Sequence, residues 1–246
     1  MSWKELAKSP KWIGFVLFGV LSAVLMTRLG LWQLTRLGER RTATAAVEIQ
    51  RTRSPAPVAD VVDGLNIATA SKEEWRRVVV SGHFDESHQV LIANRSSDTK
   101  AGYHVVTPVM LNDTTAVLVN RGWIPLQARA GEPPVIPPAP SGEIRLTGRI
   151  RASQTRGAIG PKDPPVGALK VLARVDVARI ASQTPYGLLP MYVEDETQWP
   201  GLDLIKGPTT GPGPHLGYAL QWFGFTIVGI VAWIIILRRA AKGKSA

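Results

Sequence analysis

A chain of 246 residues with 45% hydrophobic residues and no cysteine is long enough for one sizeable domain plus appendages. It excludes a disulfide framework, a zinc ribbon or finger, an iron–sulfur cluster and a thiol nucleophile. Its net charge of +10 is gathered at the ends, +2 over residues 1–11 and +4 over residues 238–246, beside apolar runs. That is how membrane flanks look, and it speaks against nucleic acid as a partner.

Residues 1–11 read as a basic tail and residues 12–35 as a first transmembrane helix. Trp12–Thr27 is an uncharged stretch of 16 residues, roughly 24 Å of helix against a hydrocarbon core of about 30 Å. Arg28 can snorkel, Leu29–Leu34 prolongs the apolar character, and Trp32 suits an interfacial belt. Helical character continues over Gln33–Arg53. A cleaved signal peptide is the alternative, opposed by the lack of a small-x-small site directly after the apolar stretch.

Residues 36–206 read as one β-rich domain. Trp75–Phe84, Gln89–Asn94, Tyr103–Leu111, Thr115–Arg121, Glu143–Ile150 and Leu189–Asp195 are strand candidates. Asp85–His88, Asn94–Gly102 and Asn112–Asp113 are the connecting turns, and Asp176–Thr184 is a short amphipathic helix. The proline-dense segment 131–142 (GEPPVIPPAPSG) is either a docking strip for a partner or, preferably, a stiff loop. The expected fold class is an α+β membrane protein, with N- and C-terminal transmembrane helices around a small antiparallel barrel or sandwich.

Residues 207–214 form a Pro/Gly linker, residues 215–237 a second transmembrane helix, and residues 238–246 a basic tail. Leu216–Leu237 is uncharged over 22 residues, about 33 Å of helix. Two spans put both termini on one side, and the basic tails lean towards a cytoplasmic side with residues 36–206 extracytoplasmic. A first span that starts at residue 12 leaves no room for an organellar transit peptide, so a prokaryotic plasma membrane is the expected location.

Enzyme signatures are sparse. Ser97-Asp98-Thr99-Lys100 matches S-x-x-K but lies in a polar turn without its companion motifs, and no nucleotide, zinc-protease or serine-hydrolase motif is present. The chain is expected not to be an enzyme. His83, His88 and His104 would form a metal site only if they converged; separate hydrogen-bonded or solvent-facing side chains are expected.

His215 is different because Pro214 suits the first turn of the second helix and puts His215 near its N-terminus. The positive end of the helix dipole favours an uncharged imidazole there, with a lone pair for a metal such as haem iron. On a helical wheel His215, Tyr218, Ala219 and Trp222 share one face, with Gly217, Gly224 and Val228 nearly opposite. Small residues permit close helix approach, so the Gly217/Gly224 face is expected to pack on the first span. The His–Tyr–Trp face then points outward, towards lipid, a cofactor or another protein.

Four stretches together resemble the surfeit-locus (Surf/Shy-type) assembly proteins of cytochrome c oxidase. They are Leu29–Arg36 (LGLWQLTR), Trp75–Asp85 (WRRVVVSGHFD), Gly102–Pro108 with Val119–Pro125, and Pro214–Phe223 (PHLGYALQWF). The resemblance implies a non-enzymatic factor for haem–copper (aa3-type) oxidases that holds or delivers haem a to subunit I, with His215 as the iron ligand. It also brings forward Trp32, Gln33 and Arg36 at the facing end of the first span, and Tyr218 and Trp222 beside His215, as cofactor-binding candidates. Arg36, Arg28 or Arg40 would pair with haem propionates or with lipid headgroups. Implied partners are subunit I, other oxidase subunits, haem A synthase and membrane lipids. The alternative is a structural accessory subunit, stably attached to the oxidase or a respiratory supercomplex and without haem of its own.

Overall fold

The computed structural model describes residues 8–126, 134–208 and 211–242. In chain order the elements are α1 (Pro10–Thr52), β1 (Ala56–Pro57), α2 (Val58–Val62), β2 (Arg77–Phe84), β3 (Val90–Ser97), β4 (Lys100–Asn112), β5 (Thr115–Pro125), β6 (Ile144–Ala152), β7 (Val171–Leu172), α3 (Val177–Ala181), β8 (Gly187–Asp195) and α4 (His215–Lys242). Contacts divide the chain into two compact units, Val47–Pro208 and the terminal segments Met1–Ala46 with Thr209–Ala246.

In the terminal unit, α1 and α4 are both long and apolar enough to cross a membrane. Leu17, Leu21, Leu25, Leu220, Ile227 and Val231 are all exposed, as in helices whose surroundings are hydrocarbon. The two helices run antiparallel and meet where α1 has glycines. A Cβ on Gly19 would stand 2.6 Å from the Trp233 indole, and one on Gly30 would stand 2.5 Å from the Phe223 ring. Both glycines therefore act as sockets for aromatic knobs of α4.

This departs from the expectation of the helical wheel, although Tyr218 on the face assigned outward is half exposed. Gly217 and Gly224 have no neighbour within 4 Å, while Ala219, on the face assigned outward, is fully buried. The small-residue rule applies, but the small residues that matter are on α1.

The unit Val47–Pro208 is built on a closed five-stranded barrel in the order β2-β6-β8-β5-β4, sealed by pairing of β2 with β4 at His83↔Met110 and Phe84↔Val109. The expected sandwich alternative is thus not adopted. Nor is the barrel wholly antiparallel, because β5 and β8 run parallel from Thr115↔Gly187 to Asn120↔Glu194. A closed ring with an odd number of strands needs at least one parallel pair. The crossover between these two carries β6, β7 and α3, ample length for a parallel connection.

The barrel core follows strand alternation: Val78, Val80, Val117, Val119, Leu146, Ile150, Met191 and Val193 are buried together. β5 is buried on both faces from Ala116 to Ile124. A second cluster, with Val90, Ile92, Val106, Leu118, Leu172 and Ile180, lies outside the ring beneath α3. Asp176 caps α3 by accepting from the Arg179 N–H at 3.1 Å.

Two local expectations change. The turn placed at Asn94–Gly102 shrinks to Asp98 and Thr99, both with positive φ, because β3 and β4 pair up to Ser97↔Lys100. The S-x-x-K match is simply the tip of this hairpin. The strand expected over Thr115–Arg121 runs on to Pro125, with a register shift between the pairs Val105↔Gly122 and Val106↔Asn120. A Cβ on Gly122 would stand 2.8 Å from the Asp203 carbonyl oxygen, where Trp123 and Asp203 exchange two backbone hydrogen bonds of 2.8 and 2.9 Å.

The described part of the proline-dense segment behaves as a stiff loop. Buried Arg121 donates to the carbonyls of Pro137 (3.1 Å) and Pro138 (2.8 Å). Residues 131–133 lie outside the described residues.

Candidate site at the His215 end of the helix pair

Within the terminal unit, the sequence places Gln33, Leu37 and Arg40 at i, i+4 and i+7 on one face of α1. Leu37 is nearly inaccessible. Gln33 Oε1 lies 2.9 Å from His215 Nδ1, at the first residue of α4, where the Tyr218 N–H donates to Pro214 O at 3.1 Å. The ring therefore does not point away from the first helix, as the wheel implied; it is tied to it.

An amide oxygen only accepts, so this pairing calls for a proton on Nδ1, and a ring that is neutral then carries its lone pair on Nε2. Nε2 has no hydrogen-bond partner among the described residues. A ring nitrogen free to ligate, with the other N–H given to a carbonyl, is how proteins commonly orient a metal-binding histidine.

The Gly211–Pro214 segment runs over the same place. Arg40 Nε donates to Gly211 O at 3.4 Å. A Cβ on Gly213, whose φ is +66°, would lie 3.4 Å from His215 Cδ2 and 3.5 Å from Arg40 Nε. Arg40 and the imidazole thus both border the Gly213 backbone.

Arg36 is placed differently. It pairs with Glu39 at 2.8 Å, both side chains being more than half exposed, and its guanidinium lies 5.7 Å from the Trp32 ring centroid. Trp32 and Tyr218 are each half exposed. Trp222 meets Phe225 edge-on at 6.2 Å, and Arg28 is exposed. Of the sequence candidates, the structure directly joins Gln33 with His215 and sets Arg40 against the linker that His215 also borders. The i, i+4, i+7 spacing on α1 was the available signal for Arg40.

The histidines of the barrel unit do not form a second centre. Among the described residues no three His, Cys, Asp or Glu side chains gather as a metal site. His88 Nδ1 contacts Asp85 Oδ2 at 2.6 Å, and Tyr186 donates to the same carboxylate at 2.7 Å. Burial works against an ionised Asp85, but the hydrogen bonds from Ser87, Tyr186 and His88 prevail and hold its carboxyl down at about 2.

His104 Nδ1 lies 3.1 Å from Asn120 Nδ2, and burial, with Arg95 and Arg151 near, lowers its imidazole from 6.5 to about 4. The folded state keeps this ring neutral while the unfolded chain protonates it as pH falls through 6.5. Stability is therefore fully present above that value and declines down to about 4. At pH 4.5 the expected loss from this group is about 2 kcal/mol. His104→Gln should flatten the slope, read as the wild-type-minus-variant difference in urea midpoint across this range.

Comparison with known proteins adds relationship to geometry. The model of the SURF1 family matches residues 20–227. An uncharacterised SURF1-like protein of Mycobacterium tuberculosis is 28% identical over 222 residues, covering 89% of this chain and 80% of its own length. A SURF1-like protein of Monosiga brevicollis is 26% identical over 254 residues, covering 97% and 94%. Surfeit locus protein 1 of Rattus norvegicus is 28% identical over 235 residues, covering 87% and 73%.

Proposed function

The chain belongs to the SURF1 family of cytochrome oxidase assembly factors, and on that premise we propose that it holds haem a through His215 for insertion into oxidase subunit I. The observation that carries this reading is the 2.9 Å contact of His215 Nδ1 with Gln33 Oε1, which leaves Nε2 without a partner among the described residues. The donor set fits a porphyrin: an imidazole nitrogen for the metal, and the Arg40 guanidinium, which borders the same Gly213 backbone, for a propionate carboxylate.

When bound, the haem would supply an iron and two carboxylates. His215 would hold the iron, Gln33 would fix the ring, and Arg40 would neutralise carboxylate charge. Trp32, Arg36, Tyr218 and Trp222 are further contacts under this reading. The chain itself catalyses no step. Its termini lie in the cytoplasm of a prokaryote, its β-rich domain lies outside the plasma membrane, and haem A synthase is a source of the cargo.

The test is to purify the full chain and a His215→Ala variant from cells that make haem A. Bound haem should fall at least about tenfold in the variant, with loss of the imidazole-ligated spectrum. Equal haem content and an unchanged spectrum would remove His215 from the role. A haem-free wild type found at constant stoichiometry on mature oxidase would establish the accessory-subunit reading instead.

A further inference from the structure

We propose that Gln33 is a positioning residue that selects the tautomer of His215, so that Nε2 is the nitrogen presented to a metal; this rests on the haem-holding reading above. The argument starts from the amide. A glutamine side chain offers one acceptor oxygen and one donor nitrogen, and a neutral imidazole likewise has one nitrogen of each kind. Pairing Oε1 with Nδ1 at 2.9 Å puts the proton on Nδ1. The opposite pairing, amide N–H to Nδ1, would put the proton on Nε2 and block it as a ligand.

The surroundings decide which face of the ring is fixed. Gln33 is half-buried on the α1 face that also carries buried Leu37. On the other side of the ring, Gly213 brings backbone close to Cδ2, at 3.4 Å from where its Cβ would stand. Held on the Nδ1 side by Gln33 and flanked at Cδ2 by the linker, the ring has one defined orientation about its own axis. Water at Nδ1 would satisfy the proton but would not fix that orientation. A tertiary contact between residues 182 positions apart does.

The experiment compares wild type, Gln33→Leu and Gln33→Glu as full chains in detergent, and has two readouts. The first is nitrogen-15 NMR of selectively labelled histidine in haem-free protein. Wild type should show His215 protonated on Nδ1, Gln33→Glu should show the same, and Gln33→Leu should show a mixture of tautomers. The second is titration with ferric haem a. Gln33→Leu should bind about 10- to 100-fold more weakly, as for loss of an outer-shell partner. Gln33→Glu should bind within a few-fold of wild type, with a lower midpoint potential because its carboxylate makes the ligand more basic.

Leucine is close to glutamine in volume, so packing alone predicts little change in either readout. Wild-type protein protonated on Nε2, or Gln33→Leu matching wild type in tautomer and affinity, would overturn the positioning role while His215→Ala still lost its haem. Undiminished haem binding by His215→Ala would overturn the haem-holding reading and this inference with it.

Discussion

Replacing Glu194 by glutamine is expected to lower the stability of the barrel unit by about 3–5 kcal/mol, the range for an ion cluster that loses its buried partner. Glu194 lies on β8 with 3% of its surface exposed. One carboxylate oxygen accepts from Arg149 Nε at 2.9 Å and the other from Arg151 Nη1 at 2.7 Å. Burial works against the Arg151 guanidinium, yet Glu194 beside it and the hydrogen bond to Glu74 leave it above its ordinary value.

Glutamine keeps the shape but turns one acceptor into a donor and leaves two cations sharing a neutral group. Arg149 still reaches Ile205 O at 2.7 Å, and Arg151 still has Glu74 at 2.9 Å and the Trp75 ring at 4.0 Å, so the side chains stay in place and bear the charge. Urea unfolding followed by tryptophan fluorescence should show a lower midpoint with unchanged slope. Glu74→Gln, at a side chain with 32% exposure, should cost about 1 kcal/mol or less. A Glu194→Gln loss no larger than that control would refute the assignment.

The second large effect is at the seam of the barrel. Gly82→Ala is expected to cost about 3 kcal/mol or more, as for a steric conflict with main chain that cannot relax locally. A Cβ at this position would stand 2.0 Å from the Met110 carbonyl oxygen. At Gly82 the strand β2 leaves its pairing with Ile144 of β6, and at His83 it takes up Met110 of β4. Moving the Met110 carbonyl therefore opens the ring at its closure.

Hydrogen exchange should report this directly, with protection lost first at the amides of the β2–β4 junction and retained longer at β6 and β8. Gly38→Ala supplies the contrast, because nothing lies within 4 Å of its Cβ position on α1. It should be neutral or slightly stabilising, by helix propensity. Normal stability and exchange in Gly82→Ala would mean that the ring does not close there.

Much of the barrel was legible because alternating β-branched runs such as Arg77–Phe84 and Thr115–Arg121 declare a strand with one buried face. The run Arg77–Phe84 gave no sign that Gly82 would be the closing corner. The parallel β5–β8 pair was not legible. Strand periodicity tells which residues face inward and says nothing about which strand lies alongside, since ladder partners are chosen by the global closure of the ring. Nor could periodicity show that β5 would be covered on both faces, which depends on α3 and β7 folding back over it.

At the candidate site, Gln33 and His215 were both marked by the motifs that contain them, yet the wheel turned the histidine the wrong way. A wheel ranks the faces of one helix, whereas contact is settled by the fit of two. Here the sockets are Gly19 and Gly30 of α1 and the knobs are Trp233 and Phe223 of α4, so the side of α4 that carries those two rings faces its partner.

The sequence by itself determined the two apolar helices, the strand-rich segment between them and the residue types able to bind a porphyrin, because hydrophobic periodicity, charge placement and side-chain chemistry are local properties. Only the tertiary structure decided the ring closure and the Gln33–His215 bond. Both join residues far apart in the chain, and such contacts are fixed by the way whole surfaces interlock.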